Sequence, residues 1–239
     1  MRDYNKEYQD NERRYAYNFD GILRRYMMRT FQPLFLKGRA LELGCFDGET
    51  TALILEHFDD VTVIEAAKDL VDQAHQRVNG EAKFIHSRFE DASPGAFENI
   101  FLVHTLEHLD DPVAVLRRIG SWLVEGGRFF VVVPNANAPS RQIAVKMGLI
   151  SHNAAVTDAE AKHGHRATYS FDTLEREIKA AGLPILQRGG IFFKALANYQ
   201  FDRLLQTDII SPEYLDGCYK LGMQYPELCA SIYCVCGRP

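Results

Sequence analysis

Two glycines and two carboxylates have the spacing of a turn that binds a ligand against bare backbone. Gly44 and Gly48 follow a short apolar run, and glycine lets a ligand approach the main chain because it has no side chain. Glu42 comes just before the turn, where its charge disfavours a phosphate and favours a cation. Glu65 follows the turn by about 20 residues, the spacing at which an acid at a strand tip accepts both hydroxyls of a ribose.

Three histidines are candidates for accepting a proton, because an unperturbed imidazole titrates at about pH 6.5. His108 follows an apolar strand pattern, whereas His163 and His165 stand two residues apart in a polar loop, where both rings can face one ligand. The alternatives are a Glu107–His108 hydrogen bond that holds the loop, and solvated histidines in the polar segment. No spaced carboxylate–histidine set accompanies the loop histidines in the sequence, so no metal is expected.

Strand and helix patterns alternate along the chain and place most of these residues at the ends of strands. The predicted strands cover 40–43, 61–65, 82–86, 97–103, 128–133, part of 183–193, and 231–236. The predicted helices cover 12–35, 50–58, 66–78, 113–123, 141–147, 171–181, 199–205 and 212–221. The alternation indicates a parallel sheet, and the tip of the strand 97–103 points His104 and Thr105 at its crevice.

The glycine turn resembles the first motif of the class I S-adenosylmethionine-dependent methyltransferases, which reads hydrophobic-acidic-hydrophobic-Gly-x-Gly-x-Gly. Here the motif spans 41–48, and Phe46 replaces the middle glycine. The run 106–112, with its Leu-Glu-His-Leu and Asp-Pro, resembles a segment of ubiquinone-type and sugar-modifying bacterial small-molecule methyltransferases. The resemblance covers roughly residues 36–193 and the last strand.

This resemblance implies a Rossmann-like α/β fold with a seven-stranded, mostly parallel sheet, an antiparallel last strand and helices on both faces. It also implies S-adenosyl-L-methionine as the cofactor. In the family, the loop after the third strand holds the adenine, often through an acid, and Arg88 stands at the position of that acid. The residues that the resemblance assigns to cofactor binding are Glu42, Gly44, Cys45, Phe46, Gly48, Glu65, Ala66, Arg88, Phe89 and His104.

The organisation implied by the resemblance is one methyltransferase domain over residues 1–239. Residues 1–35 are expected to form an N-terminal helical lid and residues 36–135 the cofactor-binding core. Two insertions, 136–169 and 194–228, are expected to cover the acceptor. For the second insertion, a homodimer contact and an acceptor wall are both open interpretations.

The implied reaction is in-line transfer of a methyl group to an oxygen or nitrogen of a small-molecule or saccharide acceptor. His108, His163 and His165 are then the candidate bases. One alternative is a non-catalytic protein that binds S-adenosylmethionine, which the departures at Phe46 and Arg88 keep open. A nicotinamide-dependent oxidoreductase is disfavoured, because Phe46 interrupts the Gly-x-Gly-x-x-Gly pattern and Glu42 repels a pyrophosphate.

Composition narrows the class of protein further. The chain has 239 residues, 46% of them hydrophobic, which suits one large α/β domain. Its formal net charge of −5 argues against an extended nucleic-acid interface. The five cysteines form no disulfide framework, which indicates a reducing compartment, and we expect a cytoplasmic protein. The sequence predicts neither a signal peptide nor a membrane span.

Overall fold

Seven strands form one sheet in the computed structural model, which describes residues 4–9 and 17–239. The strands are β1 Ala40–Leu43, β2 Val61–Glu65, β3 Lys83–His86, β4 Phe97–Val103, β5 Leu123–Pro134, β6 Ile185–Phe193 and β7 Cys229–Cys236. Their order is β3-β2-β1-β4-β5-β7-β6, and β7 alone runs opposite to the other six strands. The predicted fold class, with its antiparallel last strand, is confirmed.

Helices lie on both faces of this sheet. They are α1 Tyr4–Gln9, α2 Asn18–Phe31, α3 Glu49–Leu55, α4 Lys68–Arg77, α5 Pro112–Gly120, α6 Pro139–Lys146, α7 Asp158–Lys162, α8 Phe171–Ala180, α9 Asn198–Leu204 and α10 Pro212–Gln224. Short 3₁₀ turns cover Gln32–Leu34, Leu106–His108 and Pro226–Leu228. Among the helices of the described ranges, none is both long and apolar enough to cross a membrane.

The structure corrects several predicted boundaries. Leu123, expected at the end of a helix, belongs to β5 and pairs with Phe97 across the sheet. The helix α7 forms in a segment predicted to be a loop, and a Thr157–Glu160 capping box stabilises its first turn. Residues 12–16 of the predicted N-terminal helix lie outside the described residues.

The sheet is buried on both faces, which explains the continuous apolar runs of its central strands. All residues of β1 and β2 are buried, as expected for parallel strands that helices cover on both sides. Alternate residues face opposite clusters: Phe101 and Phe130 stack on one face, with ring centroids 4.9 Å apart, whereas Phe129 lies on the other. The helices α2, α3 and α10 pack on the first face, and α5 and α8 pack on the second.

The strand order reverses between β1 and β4, since the chain adds β2 and β3 on one side of β1 and then returns to its other side. In open α/β sheets, ligands bind outside the carboxyl ends of the strands at such a switch point. The carboxyl ends of β1, β2 and β4 carry Gly44, Glu65 and His104. The fold therefore brings three of the predicted site residues to one edge of the sheet.

Candidate functional site

The turn after β1 keeps the backbone of a glycine-rich loop although one glycine is missing. Gly44, Phe46 and Gly48 have φ angles of +78°, +49° and +84°, all in the left-handed region that favours glycine. For a residue with a Cβ atom, this conformation costs about 1–2 kcal/mol. Phe46 therefore has a backbone conformation that favours the glycine it replaces.

Close neighbours also leave no room for a side chain at either glycine of the turn. A Cβ atom at Gly44 would lie 2.7 Å from Oγ1 of Thr105, and one at Gly48 would lie 2.7 Å from Cα of Ala74 in α4. Thr105 closes the turn from the β4 side, because its hydroxyl donates a hydrogen bond to the carbonyl of Leu43 at 3.2 Å. Gly48 thus permits close packing of helices, whereas Gly44 lies partly exposed at the edge of the crevice.

Glu65 is buried at the tip of β2, next to the turn. Its carboxylate accepts hydrogen bonds from the backbone N–H of Cys45 at 3.2 Å and of Ala67 at 2.8 Å. Backbone N–H groups of Ala66 and Phe46 also act on this carboxylate, so a ribose bound here would share an acceptor that the turn already uses. Burial raises the pKa of Glu65, although these backbone hydrogen bonds act in the opposite direction.

Glu42 lies beneath the turn and is almost fully buried. Its carboxyl group accepts a hydrogen bond from the hydroxyl of Thr51 in α3 at 2.5 Å. Burial raises its pKa to about 8, so the group is mostly protonated at neutral pH in the absence of a nearby cation. A positively charged ligand above the turn would favour the ionised form.

The structure places the remaining predicted cofactor residues in different environments. The side chain of Phe89 lies in the apolar core, where packing accounts for it. Arg88 is exposed and pairs with Asp91 at 2.9 Å. The carbonyl of Ala66 accepts a hydrogen bond from His86 at 3.1 Å. The adenine contacts expected from Arg88 and Phe89 therefore stay predictions.

His104 follows β4 in a left-handed conformation, with φ +49°, and its Nε2 lies 2.9 Å from the hydroxyl of Ser231 in β7. Burial lowers its pKa to about 3, and the charges of Arg24 and Lys194 act in the same direction. The ring is therefore neutral at physiological pH.

Two charged side chains lie near His104 that the sequence analysis did not assign to the site. Lys194 follows β6 at the same edge of the sheet, donates a hydrogen bond to Asn198, and has its pKa lowered to about 8 by burial. Arg24 of α2 forms an ion pair with Glu49 at the start of α3. The only sequence signal was the position of each charge, at the end of an apolar strand or on the helix that packs there.

The structure brings two of the three predicted histidines together. The rings of His108 and His165 meet edge to face, with centroids 4.7 Å apart, and Glu107 lies beside them. Burial lowers the pKa of His165 to about 4. His163 instead caps the C-terminus of α7, where its backbone N–H donates to the carbonyl of Ala159.

The fold and the crevice define the class of protein: a class I S-adenosylmethionine-dependent methyltransferase, as the sequence motifs predicted. A sequence profile of the family described as a methyltransferase domain matches residues 12–188, and the chain belongs to this family. The cofactor of the class is S-adenosyl-L-methionine. The residues present fit it, because the carboxylate of Glu65 lies at the tip of β2 beside the turn, where it can accept from a ribose, and Glu42 can ionise beneath a cation.

Several known proteins resemble this chain. The ubiquinone biosynthesis O-methyltransferase of Aeromonas salmonicida is 27% identical over 74% of this chain and 77% of its own length. The trans-aconitate 2-methyltransferase of Rhodopseudomonas palustris is 31% identical over 45% of this chain, and the match spans only 43% of that relative. The N-methyltransferase NodS of Bradyrhizobium japonicum, solved with S-adenosyl-L-homocysteine, covers 100% of both chains with a TM-score of 0.63 and 13% identity.

Proposed function

We propose that the chain transfers the methyl group of S-adenosylmethionine to an oxygen atom of a small molecule that carries or develops negative charge. The observation that carries this proposal is the distribution of charge around the crevice. Glu42 and Glu65 lie below and beside the turn after β1, whereas Lys194 lies at the tip of β6 near His104. Arg24, in α2, lies within electrostatic range of both Glu42 and His104.

The acidic side suits the donor. The cofactor carries a sulfonium and an ammonium group, and Glu42 and Glu65 both lie within electrostatic range of the turn. Asp47 in the same turn pairs with Arg77 at 2.6 Å, which holds the loop against α4. A cationic ligand that places its ribose at Glu65 therefore meets negative or ionisable groups along its length.

The basic side suits the acceptor. A positive charge near a hydroxyl favours its ionised form, so Arg24 and Lys194 would lower the pKa of a phenol bound beside His104. Arg24 pairs with Glu49 and Lys194 donates to Asn198, and the carboxyl group of Asp20 lies within electrostatic range of both cations. Phenols and carboxylates therefore fit this side better than the weakly acidic hydroxyl of a saccharide, which stays the alternative acceptor.

The reaction that this geometry supports is an in-line displacement. The acceptor oxygen forms a bond to the methyl carbon while the bond from that carbon to sulfur breaks, and sulfur leaves as a neutral thioether with the electron pair. Positioning of the two reactants can supply much of the rate, since effective molarities reach about 10⁵–10⁸ M. A hydroxyl acceptor also loses a proton, and His108, His163 and His165 are the proposed acceptors of that proton.

We infer that residues 1–35, 136–169 and 194–228 cover the bound ligands. Supporting contacts join two of these segments to the crevice. In α1, the side chain of Asn5 accepts a hydrogen bond from the backbone N–H of Asp69 in α4 at 3.3 Å. In the first insertion, the backbone N–H of Arg166 donates to the carbonyl of Glu107 at 2.7 Å. Exposed apolar residues such as Met147 and Met223 leave a homodimer contact as the alternative role of the insertions.

The test is incubation of the protein with S-adenosylmethionine and a panel of phenols, carboxylates and saccharides. Mass spectrometry would follow both the gain of one methyl group by the acceptor and the release of S-adenosylhomocysteine. We expect methylated products among the phenols or carboxylates. Methylation of saccharides alone would overturn the acceptor proposal, and cofactor binding without turnover on the whole panel would favour the non-catalytic alternative. Tight binding of NAD, with no response to either adenosyl ligand, would overturn the proposed donor.

A further inference from the structure

One carboxylate and two imidazoles converge beside the tip of β4. A ligand atom from each of Glu107, His108 and His165 lies within 4.8 Å of the others. Glu107 and His165 are 2% and 8% exposed, and His108 is partly buried. These are the side-chain types that bind transition metals, and here two come from the turn after β4 and one from the first insertion.

The second observation is an unsatisfied oxygen. Oε2 of Glu107 is buried and has no hydrogen-bond partner among the described residues. Burying a polar atom without a partner costs about 1–3 kcal/mol, and more for a charged group. A cation bound between this carboxylate and the two rings would satisfy the oxygen.

The backbone around the three side chains holds them in place before any ligand arrives. The N–H of Arg166 donates to the carbonyl of Glu107 at 2.7 Å, which joins the insertion to the β4 turn. The N–H of His165 donates to the carbonyl of Glu160 at 3.0 Å. Glu160 in turn forms an ion pair with Arg141 at 2.5 Å and completes the capping box of α7. A site built this way loses little conformational entropy when it binds an ion.

We propose that Glu107, His108 and His165 bind one divalent transition-metal cation. Two nitrogen ligands and one oxygen ligand suit Zn²⁺, Co²⁺ or Mn²⁺ better than Mg²⁺ or Ca²⁺, which prefer oxygen alone. Three protein ligands leave coordination positions open for water or substrate. A cavity of about 20 Å³, lined by Glu107 and His165 together with Asn135 and Thr168, has room for such a water.

The site lies three residues beyond His104, at the edge of the crevice assigned to the acceptor. A cation there would occupy ring nitrogens of His108 and His165, and in place of proton transfer to those rings it would lower the pKa of an acceptor oxygen bound to it, as a Lewis acid does. This role rests on the proposed methyl transfer, whereas metal binding by itself does not.

The experiment begins with full-length protein freed of metal by a chelator. Titration with Co²⁺, followed by visible absorption, should show one bound ion per chain with a spectrum of nitrogen and oxygen ligation. Glu107→Gln and His165→Gln should each weaken binding by at least about tenfold, since even the loss of an outer hydrogen-bond partner costs about 10–100-fold. His152→Gln is the matched control, because His152 is an exposed histidine of the same insertion. It should bind Co²⁺ as the parent does.

His108 is less buried than the other two residues, so His108→Gln keeps the test valid if one of the buried variants fails to fold. Thermal unfolding checks that each variant is folded. The inference is overturned if the parent binds no Co²⁺, or if the folded variants at all three positions bind it as tightly as His152→Gln does. Neither result involves an acceptor or turnover. Loss of this inference would therefore leave the proposed methyl transfer standing, and Co²⁺ binding by a protein that methylates nothing would leave the metal site standing.

Discussion

The carboxylate of Asp202 in α9 caps the first turn of α2 by accepting a hydrogen bond from the backbone N–H of Phe19 at 2.9 Å. Tyr17 occupies the N-cap position of α2, but its side chain makes no capping hydrogen bond. The ring of Phe19 also stacks on Phe201, with centroids 4.3 Å apart. The N-terminal helix and the second insertion therefore form one structural unit, although 183 residues separate the bonded pair.

Replacing Asp202 with Ala should destabilise this unit. The helix would lose an acceptor for the N–H groups of Asn18 and Phe19, and loss of a cap costs about 0.5–2 kcal/mol. Urea unfolding measures the change in the free energy of unfolding. Asp208→Ala, an exposed change in the same insertion, should have little effect. Equal stability of the two variants would show that the cap contributes nothing.

Glu65→Ala should weaken binding of S-adenosylhomocysteine by at least about tenfold, because hydrogen bonds to a charged group contribute about 1.5–3 kcal/mol each. The variant should also lose some stability, since the N–H groups of Cys45 and Ala67 lose their acceptor. Calorimetry on protein shown to be folded by circular dichroism measures the affinity. Glu81→Ala, an exposed change, is the control. Parental affinity in the Glu65 variant would disprove the ribose contact.

Gly44→Ala should be costly for two separable reasons. The left-handed backbone costs about 1–2 kcal/mol for any residue with a Cβ atom, and this Cβ would meet Thr105 at 2.7 Å. Gly182→Ala isolates the backbone cost, because Gly182 has φ +82° and no atom within 4 Å of the added Cβ. In urea unfolding, Gly44→Ala should lose more stability than Gly182→Ala.

Adding Thr105→Ala should restore part of the stability lost in Gly44→Ala, because it removes the two nearest atoms of the contact. Strictly additive losses in this double-mutant cycle would show that Thr105 is not the obstacle.

Glu42 should make stability depend on pH. The folded protein holds its proton up to about pH 8, whereas the unfolded chain releases it near the ordinary value of 4.5. Between these values the folded state binds more protons, so this group makes stability fall as pH rises, by at most about 1.4 kcal/mol per pH unit. Urea unfolding of Glu42→Gln should show a flatter pH profile than the parent and than Glu81→Gln. An unchanged slope would contradict the raised pKa.

Amide exchange should separate fixed from mobile parts of the insertions. The helix α10 buries Cys218, Tyr219 and Gly222 against the first face of the sheet, so its amides should exchange slowly with or without ligands. Residues 147–157 contain no helix or strand and should gain protection when S-adenosylhomocysteine and an acceptor bind. Slow exchange of 147–157 in the free protein would instead indicate fixed structure, such as a subunit contact.

Local features of the sequence determined much of this protein. The bounds predicted for β1, 40–43, and for β4, 97–103, agree with the structure, because each strand is a mostly apolar segment. The glycines at 44 and 48 marked a turn in which both have positive φ. These strand bounds and this turn depend only on residues close together in the sequence, so the order of residue types along the chain is enough to predict them.

Tertiary structure decided which side chains meet and which are buried. The sequence does not show that the side chain of Phe89 is buried, whereas the fold packs it in the core. Lys194 reaches the edge of the sheet near His104 only because β6 joins the sheet through β7. Glu107 and His165 belong to different loops, and their grouping depends on the hydrogen bond that joins the insertion to the β4 turn. Such contacts arise from the packing of distant segments, and no spacing along the chain encodes them.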